Sequence, residues 1–232
     1  MKLLLLSNST MKGDPYLAWP TSHLKEYLRG VRNLLFIPYA GVTVSYDDYT
    51  ETVQRALSDT GVKITGIHTV EDKLNSIRNA ECIAVGGGNT FHLLHMMQQY
   101  KLVEPIRKAV KSGTPYIGWS AGSNVACPTI KTTNDMPIVE PDSFEALALT
   151  DFQINAHYTD RVIEGHGGES RQLRLEEMLV ANSEVKIVGL PEGKLLHFKG
   201  ENWFLEGIDS EPTFLFTSTN NPVELKPGKI II

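Results

Sequence analysis

The strongest constraint on this chain is the rhythm of its first half. Short apolar runs, KLLLLS at 2–7, NLLFIPYA at 33–40, VKITGI at 62–67, ECIAVGGG at 81–88 and PYIGWS at 115–120, alternate with helix-like segments near 20–29, 46–59, 71–79 and 90–112. A strand apolar along its whole length needs cover on both faces, and strands separated by helices are joined by crossovers that leave them parallel. The pattern predicts an α/β fold: a doubly wound, mainly parallel sheet with helices on both faces. In such sheets ligands bind beyond the carboxyl ends of the strands, so the residues just after each apolar run are where chemistry belongs.

Beyond residue 128 the rhythm changes. Pro128, Pro137, Pro141 and the polar cluster TTND at 132–135 mark a long loop. After it, FQINAHY at 152–158 reads as a strand, 170–181 as a helix, and 185–232 as short strands and hairpins. At 232 residues the chain has the length of one α/β domain. The later strands are therefore expected to extend or flank the same sheet within a single domain spanning 1–232.

Composition narrows the function classes. A hydrophobic share of 41% and a charged share of 21% fit a packed globular core. The net charge of -5 lacks the basic surface that a phosphate backbone demands, which excludes nucleic acid as the expected partner and favours a small solute. The leucines at 3–6 are too few for a signal-peptide core or a membrane span. Cys82 and Cys127, the two cysteines, have no spacing that builds a disulfide framework or a zinc site, which suits a reducing cytoplasm. Oligomeric state is left open, a monomer included.

Ser120 lies where such a fold places a functional group. Gly118-x-Ser120-x-Gly122, between a strand and a helix-like stretch, matches the nucleophile-elbow pattern, in which glycines permit a sharp turn that holds the hydroxyl at the sheet edge. A helix start brings free amides and a positive dipole end beside that hydroxyl, so the Ala121 N–H is a candidate oxyanion donor. The same position also suits an N-cap or a phosphate cradle. AVGGGNT at 84–90 leaves bare amides at another strand end. It could be a dinucleotide loop, but it lacks the Gly-x-Gly-x-x-Gly order and the acidic residue that would follow. Gly88 is alternatively a second oxyanion donor.

A serine nucleophile needs a base, and His157 ends a strand on the same edge as Ser120. His166, in EGHGGESR, is placed to line a pocket. His92 and His95, three apart on a predicted helix, could share a metal, yet no carboxylate or cysteine set completes the site, so no metal is expected. The carboxylate that orients the imidazole has two candidates. Glu192 stands between Pro191 and Gly193 directly after a strand, whereas Asp135 lies in the loop KTTNDMP. Strand-end placement favours Glu192, with Asp135 a rival. A non-catalytic module, in which the glycine loop and the Ser120 turn merely hold an anion, is the reading of a different class.

Taken together, LLLLSNS at 3–9, AVGGGNTFHLL at 84–94, YIGWSAGSNVACPTI at 116–130, INAHY at 154–158 and GLPEG at 189–193 resemble the peptidase E family of bacterial α-aspartyl dipeptidases, serine peptidases related to cyanophycinase. The resemblance spans the whole chain. It implies a fold similar to class I glutamine amidotransferases and a hydrolase without a cofactor, which releases free aspartate from Asp-X dipeptides through an acyl-enzyme. It further implies Ser120 as nucleophile, His157 as general base and acid, and Gly88 and Ala121 as oxyanion donors, while dividing the third place between Asp135 and Glu192. The chain order Ser, His, acid differs from the α/β-hydrolase order Ser, acid, His. Selecting aspartate requires a cation for the substrate carboxylate. Arg171, at a helix start beside a glycine loop, is the candidate because guanidinium grips carboxylate in a bidentate fork, and His166 could add a donor. A cyanophycinase-like or isoaspartyl hydrolase would use the same triad.

Overall fold

In the computed structural model of the protein, which describes residues 1–161 and 168–232, the first half forms the alternation expected of it. Its elements are β1 (Leu3–Leu6), α1 (Thr21–Tyr27), β2 (Asn33–Ile37), α2 (Tyr46–Ala56), β3 (Lys63–Gly66), α3 (Lys73–Arg78), β4 (Ile83–Val85), α4 (Thr90–Gln99), α5 (Val103–Lys111), β5 (Tyr116–Trp119) and the single turn α6 (Ala121–Asn124). The segment expected as one helix over 90–112 is two, α4 and α5, broken where Lys101 adopts a φ of 55°. Pro105 is the local signal for the break: it falls in the first turn of α5, where a missing N–H breaks no helical hydrogen bond.

After a long loop come β6 (Gln153–Ala156), α7 (Arg171–Ala181), β7 (Ile187–Leu190), β8 (Lys194–Lys199), β9 (Asn202–Gly207), β10 (Thr213–Thr217), β11 (Asn220–Leu225) and β12 (Gly228–Ile230). These strands divide between two sheets. An eight-stranded sheet has the order β12-β9-β8-β1-β5-β4-β2-β3, and a four-stranded sheet the order β11-β10-β7-β6. In the larger one, β1 to β5 run parallel, and β8, β9 and β12 add to it antiparallel. Extension of the main sheet thus holds for β8, β9 and β12, whereas β6 and β7 pair with each other in parallel and β10 and β11 complete their sheet.

Side chains alternate across a strand, so four consecutive leucines can serve two cores. Leu3 and Leu5 of β1 pack in a cluster with Leu93 and Met97 of α4, Ile106 of α5, and Ile154 and Val188 of the smaller sheet. Leu4 and Leu6 face a second cluster with Leu24 of α1 and Val53 of α2. Each fully buried leucine contributes about 1.5–3 kcal/mol, so β1 alone is a substantial part of what holds the layers together. The first cluster draws residues from both sheets, which therefore share a core. Among the described residues no helix is long and apolar enough to cross a membrane.

Candidate active site

β5 lies in the middle of the main sheet and ends at Trp119, and the next residue, Ser120, takes φ 53° and ψ −114°. An L side chain adopts this backbone reluctantly, which marks the turn as one held by its surroundings. The Ser120 N–H donates to the Leu6 carbonyl at 3.0 Å, keeping its backbone in the ladder with β1. Ser123 Oγ donates to the carbonyls of Leu6 and Gly118, which presses α6 against the strand ends. A Cβ on Gly118 would collide with the Gly122 carbonyl, and one on Gly122 with the Val85 carbonyl. Both glycines of the elbow are therefore fixed by close approach.

His157 follows β6 directly and Glu192 stands two residues beyond β7, so their side chains leave adjacent parallel strands of the smaller sheet. His157 Nε2 lies 2.9 Å from Ser120 Oγ, and His157 Nδ1 lies 2.8 Å from Glu192 Oε1. Of the two carboxylates considered from sequence, Glu192 is the one that meets the imidazole. The backbone at His157 also has a positive φ, 55°. Its N–H donates to Ser7 Oγ at 2.8 Å, and Ser7 Oγ donates in turn to the Leu190 carbonyl at 2.8 Å. Fully buried at the end of β1, Ser7 thus stitches the main sheet to both strands after which His157 and Glu192 stand. Next to it, Asn8 Oδ1 accepts the N–H of Gly193, which follows Glu192 with φ 79°. Sequence reasoning missed these two residues as parts of the site; their position at a strand end on the active edge was the available signal.

A cavity of about 620 Å³ opens over this constellation, with Ser120, His157, Gly88, Tyr16, Thr10 and Val42 among its lining. That is the size of a small-ligand site. Gly88 has φ 137°, and a Cβ there would collide with the Ala40 carbonyl. Its N–H and that of Ala121 enter no turn, loop or cap hydrogen bond among the described residues. Asn89, the next residue, caps α4 by accepting the His92 N–H.

Asp135 is engaged elsewhere. Its Oδ2 accepts from the Thr90 N–H at 2.8 Å, from Thr90 Oγ1 at 2.6 Å and from Thr133 Oγ1 at 3.0 Å, which seats a carboxylate at the positive N-terminus of α4. The loop leading to it runs along β6: Thr132 Oγ1 donates to the Ile154 carbonyl and Asn134 Nδ2 to the Ala156 carbonyl. Asp135 therefore links the strand that carries His157 to the helix behind Gly88. His92 Nδ1 and His95 Nδ1 each meet a backbone carbonyl, of Tyr39 and Glu140 respectively. Among the described residues no group of three or more His, Cys, Asp or Glu side chains is arranged to hold a metal.

Arg171 is the first residue of α7 and is half-buried; burial, and next the Arg174 charge, draw its guanidinium below its ordinary value. Among the described residues no carboxylate pairs with it, and it is not part of the described lining of the Ser120 cavity. His166 lies outside the described residues. Cys82 and Cys127 are both buried free thiols.

Comparison with known proteins places this chain in a family. Peptidase E from Nostoc sp. strain PCC 7120 is 50% identical over 227 residues, which cover 97% of this chain and 93% of the relative. Peptidase E from Shigella flexneri is 48% identical over 228 residues, covering 98% of this chain and 99% of the relative. The crystal structure of a peptidase from an acI-B1 Actinobacterium matches the fold with a TM-score of 0.72 at 15% identity, over 100% of this chain and 96% of that one. The model of Peptidase family S51 matches residues 3–205, and the chain belongs to that family of peptide hydrolases.

Proposed function

We propose that the protein is a serine dipeptidase that cleaves Asp-X dipeptides and releases free aspartate. The observation that carries this reading is the continuous relay from Ser120 Oγ through His157 to Glu192, with contacts of 2.9 and 2.8 Å. With the imidazole neutral and its proton on Nδ1, Nε2 accepts the Ser120 proton as Oγ attacks the scissile carbonyl carbon. The N–H groups of Gly88 and Ala121 take the developing oxyanion. As the C–N bond breaks, His157 returns the proton to the leaving amine. Water, deprotonated by the same nitrogen, then attacks the ester; as the C–Oγ bond breaks, His157 returns that proton to Ser120 Oγ, which frees aspartate and restores the serine. Glu192 orients the ring and favours its charged form throughout. Every proton in this sequence moves between groups of the chain, the substrate and water.

For selectivity we assign the substrate side-chain carboxylate to Arg171, a half-buried cation without a described carboxylate partner. Charge-assisted hydrogen bonds are worth about 1.5–3 kcal/mol each, so a bidentate pair suffices to select aspartate over an uncharged side chain. The relatives named peptidase E support the coarser reading as a peptidase. Free buried thiols suit a reducing compartment, and we place the enzyme in the cytoplasm, acting on small peptides without a nucleic-acid or membrane partner, with a monomer sufficient for the site.

A panel of dipeptides assayed with wild type and Ser120→Ala tests reaction, substrate and nucleophile together. Asp-Leu should be cut by the wild type alone. Cleavage of a β-aspartyl peptide with Asp-Leu untouched would replace this reading with an isoaspartyl or cyanophycinase-like hydrolase. A function that survives Ser120→Ala, together with no labelling by a fluorophosphonate, would favour an anion-binding module. Within the panel, Arg171→Ala should narrow the preference for Asp-Leu over Asn-Leu; an unchanged ratio removes Arg171 from the role.

A further inference from the structure

Beside the three-glycine loop, among the residues that line the Ser120 cavity, lies the largely buried hydroxyl of a tyrosine that the proposed triad does not use. Tyr49, on α2, donates its hydroxyl proton to the Gly87 carbonyl at 2.9 Å and accepts from Trp119 Nε1 and from the Tyr16 hydroxyl, each at 3.2 Å. The proton's direction is forced, because an indole N–H can only donate and a carbonyl can only accept. Burial raises the Tyr49 pKa, so the group stays a phenol and a donor.

The Gly87 C=O and the Gly88 N–H belong to one planar trans peptide, and they point in opposite directions. Drawing the carbonyl toward Tyr49 turns the Gly88 N–H the other way. Gly88 is exposed and lines the same cavity as Ser120. The glycines before it are shaped to the contact: a Cβ on Gly86 would stand 2.5 Å from the Tyr49 hydroxyl oxygen, and one on Gly87 3.0 Å from Ser120 Cβ. A run of glycines thinned in this way is also the backbone most free to rotate, so the orientation of its amides needs an outside anchor.

We propose that Tyr49 is a positioning residue for the oxyanion site: its hydroxyl locks the Gly87–Gly88 peptide so that the Gly88 N–H meets the developing oxyanion, and Trp119, the neighbour of Ser120, fixes that hydroxyl's own direction. This rests on reading Ser120 as nucleophile and Gly88 as donor, and adds to them a residue on a different helix. It also gives the tryptophan of Gly-Trp-Ser-Ala-Gly a task beyond packing.

Tyr49→Phe deletes the hydroxyl and keeps the ring that packs edge-on to Phe36, centroids 5.1 Å apart. Removing an oxyanion donor outright costs about 10²–10³ in rate, so unlocking one should lower kcat on Asp-Leu about 10- to 100-fold with KM within about threefold. An aspartyl boronate, whose tetrahedral adduct fills the oxyanion site, should lose affinity by the same factor, while free aspartate, whose planar carboxylate puts only part of its charge there, should lose less. Equal losses for boronate and aspartate would mean general damage to the pocket and overturn the proposal, as would a folded variant with kcat within about twofold of wild type. Gly86→Ala, which displaces the hydroxyl from the other side, repeats the measurement should Tyr49→Phe be too unstable. If the wild type leaves Asp-Leu uncut, the substrate reading fails alone, and the test passes to the rate of Ser120 phosphonylation by a fluorophosphonate. That rate should fall about tenfold or more in Tyr49→Phe, and an unchanged rate counts against Tyr49. A wild type that is never labelled removes both readings.

Discussion

Ser120 leaves the centre of the eight-stranded sheet from a strand whose residues are all buried, while His157 and Glu192 leave the four-stranded sheet with side chains 38% and 51% exposed. The larger sheet contributes backbone features, a strained turn and two amides, and it holds them from both faces. The smaller contributes a hydrogen-bonded pair of side chains that stands partly in solvent. The contrast has an energetic side: amides fixed by the backbone stabilise charge without reorganising, whereas an ion pair half in water is screened and individually weak. Ser7 and the loop at 132–135 are what keep the two halves in register.

If the division is real, substitutions on its two sides should separate by size. The largest loss belongs to Ser120→Ala, about 10⁴–10⁶ in kcat with little change in melting temperature. Glu192→Ala should cost about 10²–10³, less than the roughly 10⁴ associated with a buried triad acid, because Glu192 works in partial contact with solvent. Asp135→Asn should cost only about tenfold in kcat while lowering stability by about 1–3 kcal/mol, since its charge ties Thr90 and Thr133 together. A larger rate loss for Asp135→Asn than for Glu192→Ala, with normal stability, would reverse the assignment of the acid.

A smaller effect tests the seam. Ser7→Ala leaves the part-buried His157 N–H unpartnered and the Leu190 carbonyl with the Tyr158 N–H alone, which should cost about 1–3 kcal/mol of stability. A concurrent fall in kcat of about tenfold would come from His157 losing its fixed place. Wild-type turnover in a destabilised Ser7→Ala would show that the halves stay aligned without it.

The smallest effect is read by the cysteines. Cys82 immediately precedes β4 in the main sheet, whereas Cys127 Sγ accepts the Ile154 N–H at 3.2 Å and so reports on β6. Burial pushes both thiols up to about 12, so at pH 8 neither should react with a thiol reagent in the native protein. The folded state keeps protons that the unfolded chain loses from about pH 8.5 upward, so the stability these thiols contribute is present at neutral pH and is lost as pH rises toward about 12. In mild denaturant Cys127 should label before Cys82 if the four-stranded sheet opens first. Equal rates would mean that the sheets open as one unit.

Much of the larger sheet was legible because its strands are local apolar runs with helices between them, and Ser120 and Gly88 were legible because glycine patterns mark strand ends. The four-stranded sheet was harder. Gly189 pairs with Asn155 on one side and Phe214 on the other, partners that no local periodicity encodes. Ser7 stayed hidden for the same reason, since it touches His157 across 150 positions. Tyr49 reads in sequence as one more buried face of an amphipathic helix, and only its hydroxyl sets it apart. Glu192 and Asp135 are equal in chemistry; strand-end placement favours Glu192 in the sequence, and its contact with His157 is visible only in the fold.

The backbone of Ser120, at φ 53° and ψ −114°, has a bearing on how such a protein ages under mutation. A non-glycine residue held there stores about 1–3 kcal/mol. Glycine would release it, against an entropic penalty of about 0.4–1 kcal/mol from a looser unfolded chain. Ser120→Gly should therefore melt above Ser120→Ala, and a lower melting temperature would show the turn to be relaxed. A lineage that stopped needing the reaction proposed for Ser120 would thus find, in a single substitution at that position, a sturdier version of the same fold.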